Sequence, residues 1–196
     1  MEVGLSVGLS GQIATEQRLT SLAQNVANSR TVGFRATEIR FEEVLREADE
    51  AQVSMVSEGQ EFISPRTGGM EKTGNTLDFA IAGDAWFSVQ TDAGNVMTKD
   101  GRFTVDTLGA LKTLSGNPVL DAGGAPIQLD PTAGPIEVGT DGSIIQNRQQ
   151  VAGLGLYSFD PGLDFVRYGE SAFIANETVE PLVDRGEVGV MQGWVE

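Results

Sequence analysis

Asp84, Asp100, Asp106, Asp141 and Glu170 are the side chains of this 196-residue chain with the means to do acid–base work, as a carboxylate pair of the kind that hydrolyses glycosides. The sequence contains no histidine and no cysteine. That removes Ser-His-Asp and Cys-His nucleophilic catalysis, imidazole general bases and the common zinc ligand sets together. A Ser-Lys arrangement remains formally open, with no spacing to support it. The carboxylates themselves mostly fall in turns, where an aspartate caps backbone N–H groups. Asp100-Gly101 and Asp141-Gly142 lack the alternating Asp/Asn ladder and distal glutamate of a calcium loop. No GxGxxG or GxxxxGK[ST] run offers a phosphate cradle. Asn176-Glu177-Thr178 matches a glycosylation acceptor only at the level of chance. The expectation is a chain that is not an enzyme, with no catalytic, cofactor-binding or metal-binding residues, no cofactor and no small-molecule substrate.

Charge narrows the partners further. The formal net charge is −15, and binding to a phosphate backbone needs clustered Lys and Arg, so nucleic acid is excluded as a partner. Between Glu38 and Glu61 eight carboxylates face only Arg40 and Arg46, the mark of a solvated linker. Without cysteine, no disulfide ties the fold to an oxidising compartment. No stretch reaches the roughly 18 consecutive apolar residues of a membrane span. Nor does a basic segment followed by an apolar run and a small-residue cleavage site announce a signal peptide.

The elements that would position any of these residues begin with residues 1–28. Leu5, Leu9, Ile13, Leu19, Leu22 and Val26 recur in steps close to multiples of a helical turn and form one apolar stripe. Ser6, Ser10, Gln17, Arg18, Ser21 and Gln24 occupy the opposite side. At 1.5 Å per residue the helix would reach roughly 40 Å, longer than the remaining chain can easily cover. The spacing therefore predicts a helix whose stripe is completed by something outside the chain. Asn25, Asn28, Gly33 and Phe34 define its exit, with Asn side chains bonding backbone groups and Gly33 allowing a bend.

Residues 35–76 read as an acidic, glycine-containing connector. From Leu77 the rhythm changes to short β-like runs, Asp78–Ala82, Trp86–Gln90, Val96–Lys99, Arg102–Asp106 and Ala110–Leu114, continuing through Ser143–Gln146 to Leu154–Phe159. Turn residues such as Asp100-Gly101 and Ser115-Gly116-Asn117-Pro118 separate them. The fold class is mainly β with an N-terminal α-helix: an antiparallel, turn-rich, sandwich- or barrel-like β domain over residues 77–196, preceded by an assembly helix and exit turn over residues 1–34.

Several segments together resemble the rod and hook proteins of the bacterial flagellar axis. Gly8-Leu9-Ser10-Gly11, Leu22–Ser29 and Thr31-Val32-Gly33-Phe34-Arg35 look like that family's N-terminal signature. Thr73–Gly83 with Trp86–Gln90, Thr98–Phe103 and Gly109–Leu120 look like its β domain, and Gly193-Trp194-Val195-Glu196 looks like the point where the family's chains turn back toward a C-terminal helix. The opening residues and the short connector before Thr73 are most similar to the proximal rod members. The resemblance implies a structural subunit of the basal-body rod, built by its N-terminal helix into the shaft that transmits motor torque. It also implies other rod subunits as partners, passage through the flagellar export apparatus without a cleaved signal peptide, and a location where the rod spans the periplasm. The family's partner C-terminal helix is absent from this sequence, which ends at Glu196. Distal rod or hook subunits are the nearest alternatives. From a different class comes a free acidic β domain that binds carbohydrate or cell wall, with Trp86, Tyr157 and Trp194 as stacking platforms.

Overall fold

The structure, a computed structural model, describes residues 2–48, 51–57, 59–175, 179–182, 186 and 188–196, with side chains for all of these except residues 2–6, 43–48 and 51–56. The sequence's Asn176-Glu177-Thr178 lies outside the described residues, and so do Asp49, Glu50 and Glu58 of the acidic run.

One helix, α1 (Glu2–Ala27), opens the chain, followed by β1 (Thr37–Arg40), β2 (Glu43–Ala48), β3 (Ala51–Val56), β4 (Gln60–Ile63) and β5 (Glu71–Lys72). Next come β6 (Phe79–Ala82), β7 (Trp86–Thr91), β8 (Gly94–Thr98), β9 (Phe103–Val105), β10 (Leu111–Thr113), β11 (Glu137–Val138), β12 (Ser143–Gln146) and β13 (Gln149–Gly153). The last are β14 (Leu156–Tyr157), β15 (Arg167–Tyr168), β16 (Ala172–Ile174), β17 (Gly189–Gln192) and β18 (Trp194–Val195). All named strand pairs are antiparallel. The described strands form one five-stranded sheet and several smaller ones, without a closed barrel.

The chain divides into two compact units. The first comprises residues 1–30, 35–66 and 162–164. In it α1 runs beside β1 and β3, β1 pairs with β4, and β2 pairs with β3 as a hairpin. The stretch read from its composition as a connector thus carries strands. Charged residues on β1 and β4 hid the alternation, yet Arg40 lies 5.3 Å from the centre of the Phe62 ring and Ser64 donates to the Glu38 carboxylate.

The second unit comprises residues 31–34, 67–161 and 165–196. Its five-stranded sheet has the order β14-β7-β8-β16-β15. Phe79, Ile81, Phe87, Phe103, Leu111, Val119, Ile127, Ile144, Leu154, Leu156 and Val190 form one contiguous buried core. Phe87 and Phe103 meet edge to face at 5.3 Å between ring centres, the arrangement that ring quadrupoles favour. Such a core follows from residues 77–159, where apolar and aromatic residues alternate between glycine- and aspartate-rich turns. Two late strands close the unit at long range: β17 pairs with β6, and β18 with β5.

Candidate assembly surface

The helix α1 carries its apolar side on the outside. Leu9, Ile13, Leu19, Leu22 and Val26 are 55, 42, 60, 56 and 65% exposed. Leu5 belongs to the same stripe, but its side chain lies outside the described residues. The less exposed positions are Ser10, Gly11, Ala14, Gln17, Ser21, Asn25 and Asn28. At about 100° per residue these seven fall together, on the side of the helix opposite the stripe.

Hydrogen bonds fasten that inner side to β1. Ser21 Oγ donates to the Thr37 carbonyl at 2.8 Å, and Asn25 Nδ2 donates to the same oxygen at 2.8 Å. The Thr37 N–H donates in turn to Asn25 Oδ1 at 3.0 Å. Ser21 and Thr37 are both buried, so each of these bonds is made where water does not compete. Among the described residues, Ser21 and Asn25 fasten α1 to β1, and none of the described stripe residues is buried in the first unit.

The exit from the helix is built differently. Asn28 closes the last turn: its N–H and its Nδ2 both donate to the Gln24 carbonyl, at 3.0 and 3.1 Å. Gly33 adopts φ +72°, and a Cβ built on it would lie 2.3 Å from the Asp100 backbone nitrogen. Only glycine fits that approach. The Gly33 N–H donates to the Glu196 carbonyl at 2.9 Å, and the Phe34 ring lies 5.1 Å from the Arg167 guanidinium. The sequence reading singles out Asn25, Asn28, Gly33 and Phe34 and does not name Arg167 or Thr37. Nothing in the local pattern marks Arg167, since it lies far along the chain from Phe34.

The carboxylates singled out as potential acid–base residues are occupied or solvated. Asp100 holds Arg102 through both oxygens, at 2.9 and 2.7 Å, and this bond holds the Arg102 guanidinium above its ordinary pKa. Asp106 bonds Lys112 at 2.5 Å and accepts from the N–H groups of Leu108 and Ala110, each at 2.9 Å. The Lys112 bond comes first among the causes that hold its carboxyl below the ordinary range. Asp141 accepts from the N–H and hydroxyl of Ser143. Asp84 and Glu170 are exposed. Among the described residues no three His, Cys, Asp or Glu side chains converge as a metal site.

Two of the three stacking platforms of the carbohydrate reading are corrected by burial, while Trp194 on β18 is half-buried. Trp86 is 4% exposed, packed edge-on to Phe159 and Phe173 at 5.6 Å each, and Tyr157 is 6% exposed. Burial also pushes the Tyr157 phenol above its ordinary pKa. Neither ring presents a face to a ligand. No described helix is long and apolar enough to cross a membrane.

Comparison with known proteins adds a family. Residues 80–146 match the family model described as the flagellar hook protein FlgE/F/G D1 domain. Over its whole length the chain is 53% identical to the flagellar basal-body rod protein FlgF of Mesorhizobium japonicum and 56% identical to that of Rhizobium meliloti, covering 81% of each relative. The corresponding protein of Caulobacter vibrioides is 34% identical, again over the whole chain and over 82% of the relative.

Proposed function

The chain belongs to the flagellar basal-body rod protein FlgF family, and from that premise we propose that it joins the rod through the apolar stripe Leu5, Leu9, Ile13, Leu19, Leu22 and Val26 of α1. It is a structural subunit of the flagellar basal-body rod, assembling with other axial components of the flagellum. What it contributes is a surface rather than a reaction. It reaches its place through the flagellar export apparatus and serves in the part of the shaft that spans the periplasm, passing motor torque along.

One observation carries the proposal: Ser21 and Asn25 fasten α1 to β1, while five large apolar side chains on the opposite side stay exposed. A contiguous exposed apolar patch marks an interaction surface. Covering one Leu, Ile or Val contributes about 1.5–3 kcal/mol, and five contribute on the order of 10 kcal/mol before ordering costs. A head-to-tail interface that does not close on itself extends such contacts into a helical shaft.

The test is Leu9→Asp with Leu22→Asp, introduced in place of the native copy. Both side chains are exposed, so the purified variant should keep its helical signal and melting temperature. Cells carrying it should build no complete rod and should not swim. Normal swimming would refute the stripe as the interface.

A further inference from the structure

Residues 31–34 are a four-residue piece of the second unit whose neighbours on both sides, residues 30 and 35, belong to the first. Something must hold so short a strap in the β unit, because four residues carry little burial of their own. The Gly33 N–H to Glu196 carbonyl bond supplies one fastening. A second is aromatic. The Arg167 guanidinium lies 5.1 Å from the Phe34 ring centre, 4.8 Å from that of Phe173 and 5.8 Å from that of Phe165.

We infer that Arg167 is the positioning residue that clamps the helix-exit segment Thr31–Phe34 into the β unit. Arg167 sits on β15 directly opposite Phe173 on β16, and Phe173 is fully buried. Its Nη1 also donates to the Glu170 carbonyl at 3.4 Å. The guanidinium is thus held by its own sheet before Phe34 arrives. A planar, weakly hydrated cation in that position attracts the face of a third ring at little further ordering cost. This inference rests on α1 being the assembly element: load taken up by that helix travels along the chain into Thr31–Phe34, and a loose strap would yield before the sheet does.

The experiment is amide exchange on the full chain, paired with swimming of cells that carry the same variants. Arg167→Met keeps the apolar stem and removes the cation. Phe34→Leu keeps the apolar contact and removes the ring. In both, the Gly33 amide should exchange about tenfold faster, while amides of β7 and β8 keep their protection. Cells should lose swimming first in viscous medium, and Arg167→Lys should restore part of both readouts. Unchanged Gly33 protection in both variants would overturn the clamp. So would an equal loss of protection across β7 and β8, which would make Arg167 a general stabiliser, and so would undiminished swimming of cells whose Gly33 amide is loosened. Leu9→Asp with Leu22→Asp separates the two ideas, because it should stop assembly and leave Gly33 exchange unaltered.

Discussion

Asn25 and Thr37 exchange two hydrogen bonds, the carboxamide nitrogen to the Thr37 carbonyl at 2.8 Å and the Thr37 N–H to the carboxamide oxygen at 3.0 Å. A side chain at the end of α1 here does what a neighbouring strand would do for β1. Asn25→Ala removes the donor and the acceptor together, and Thr37 is buried. The Thr37 carbonyl keeps the Ser21 hydroxyl, so the loss falls on its N–H, and taking a partner from a buried backbone donor costs about 1–3 kcal/mol. The helical circular dichroism signal should melt earlier, and the Thr37 amide should lose protection. The tryptophan signal should hold, since Trp86 and Trp194 both lie in the second unit.

Gly33→Ala and Gly94→Ala separate two costs of a positive φ. Both glycines have one, +72° and +98°, and an L-residue in the left-handed region costs about 1–2 kcal/mol. A Cβ at Gly94 meets nothing within 4 Å, whereas at Gly33 it overlaps the backbone of Lys99 and Asp100. Gly94→Ala should therefore lose only the conformational term. Gly33→Ala should lose about 3 kcal/mol or more, because backbone atoms cannot step aside as a flexible side chain can. Urea unfolding followed by tryptophan fluorescence measures both.

The bond from Lys112 to Asp106 predicts a pH dependence with a definite sign. The folded-state pKa of Asp106 lies below its ordinary value of 3.8, so the folded chain holds the ionised form more tightly than the unfolded chain does. Its contribution to stability is complete above the ordinary value and is lost as pH falls through the folded one. Lys112→Met removes the largest cause of the depression. The variant should be less stable than the parent at neutral pH, and the gap should close as acid protonates Asp106 in both. Unfolding midpoints measured from neutral pH into the acid range check this.

The hairpin joining β12 to β13 offers a gain. Asn147 and Arg148 sit at φ 50° and 62°, the two positive values that a tight two-residue β-hairpin loop requires. Asparagine adopts this region at lower cost than arginine does. Arg148→Gly should raise stability by about 1 kcal/mol, read as a higher melting temperature of the β unit. An unchanged or lower value would mean that the Arg148 side chain contributes more than its backbone strain takes away.

Periodicity made the helix and its stripe legible, and the alternation of apolar residues between Asp-Gly and Gly-Asn turns made β6 to β10 legible. What it concealed has physical causes. Apolar spacing locates a greasy side but does not say whether that side faces in, and here Ser21 and Asn25 do the inward work through backbone bonds that no hydropathy pattern registers. Strands β1 and β4 alternate charged with apolar residues too loosely to stand out from an acidic run. Strands β5 and β18 have two residues each, and only their pairing across more than a hundred positions makes them strands. Arg167 and Phe34 likewise meet only in the folded chain. Trp86 looked like a platform because large aromatics are shared between cores and surfaces, and only packing against Phe159 and Phe173 decides between the two.

The stripe itself yields a prediction that needs no assembled rod for its first half. Leu19 and Val26 are 60 and 65% exposed, so truncating them creates no cavity in the free chain, and surface changes of this kind stay within about 0.5 kcal/mol. The same atoms, once covered by a neighbouring subunit, would contribute about 1.5–3 kcal/mol each. Leu19→Ala with Val26→Ala should therefore leave the melting temperature of the purified chain where it was and weaken incorporation into rods by a factor of a hundred or more, since every 1.4 kcal/mol is about tenfold. Calorimetry of the free protein and subunit counts in isolated basal bodies give the two numbers. Equal losses in both would mean that the stripe already packs within the chain; no loss in either would leave α1 without an assembly role.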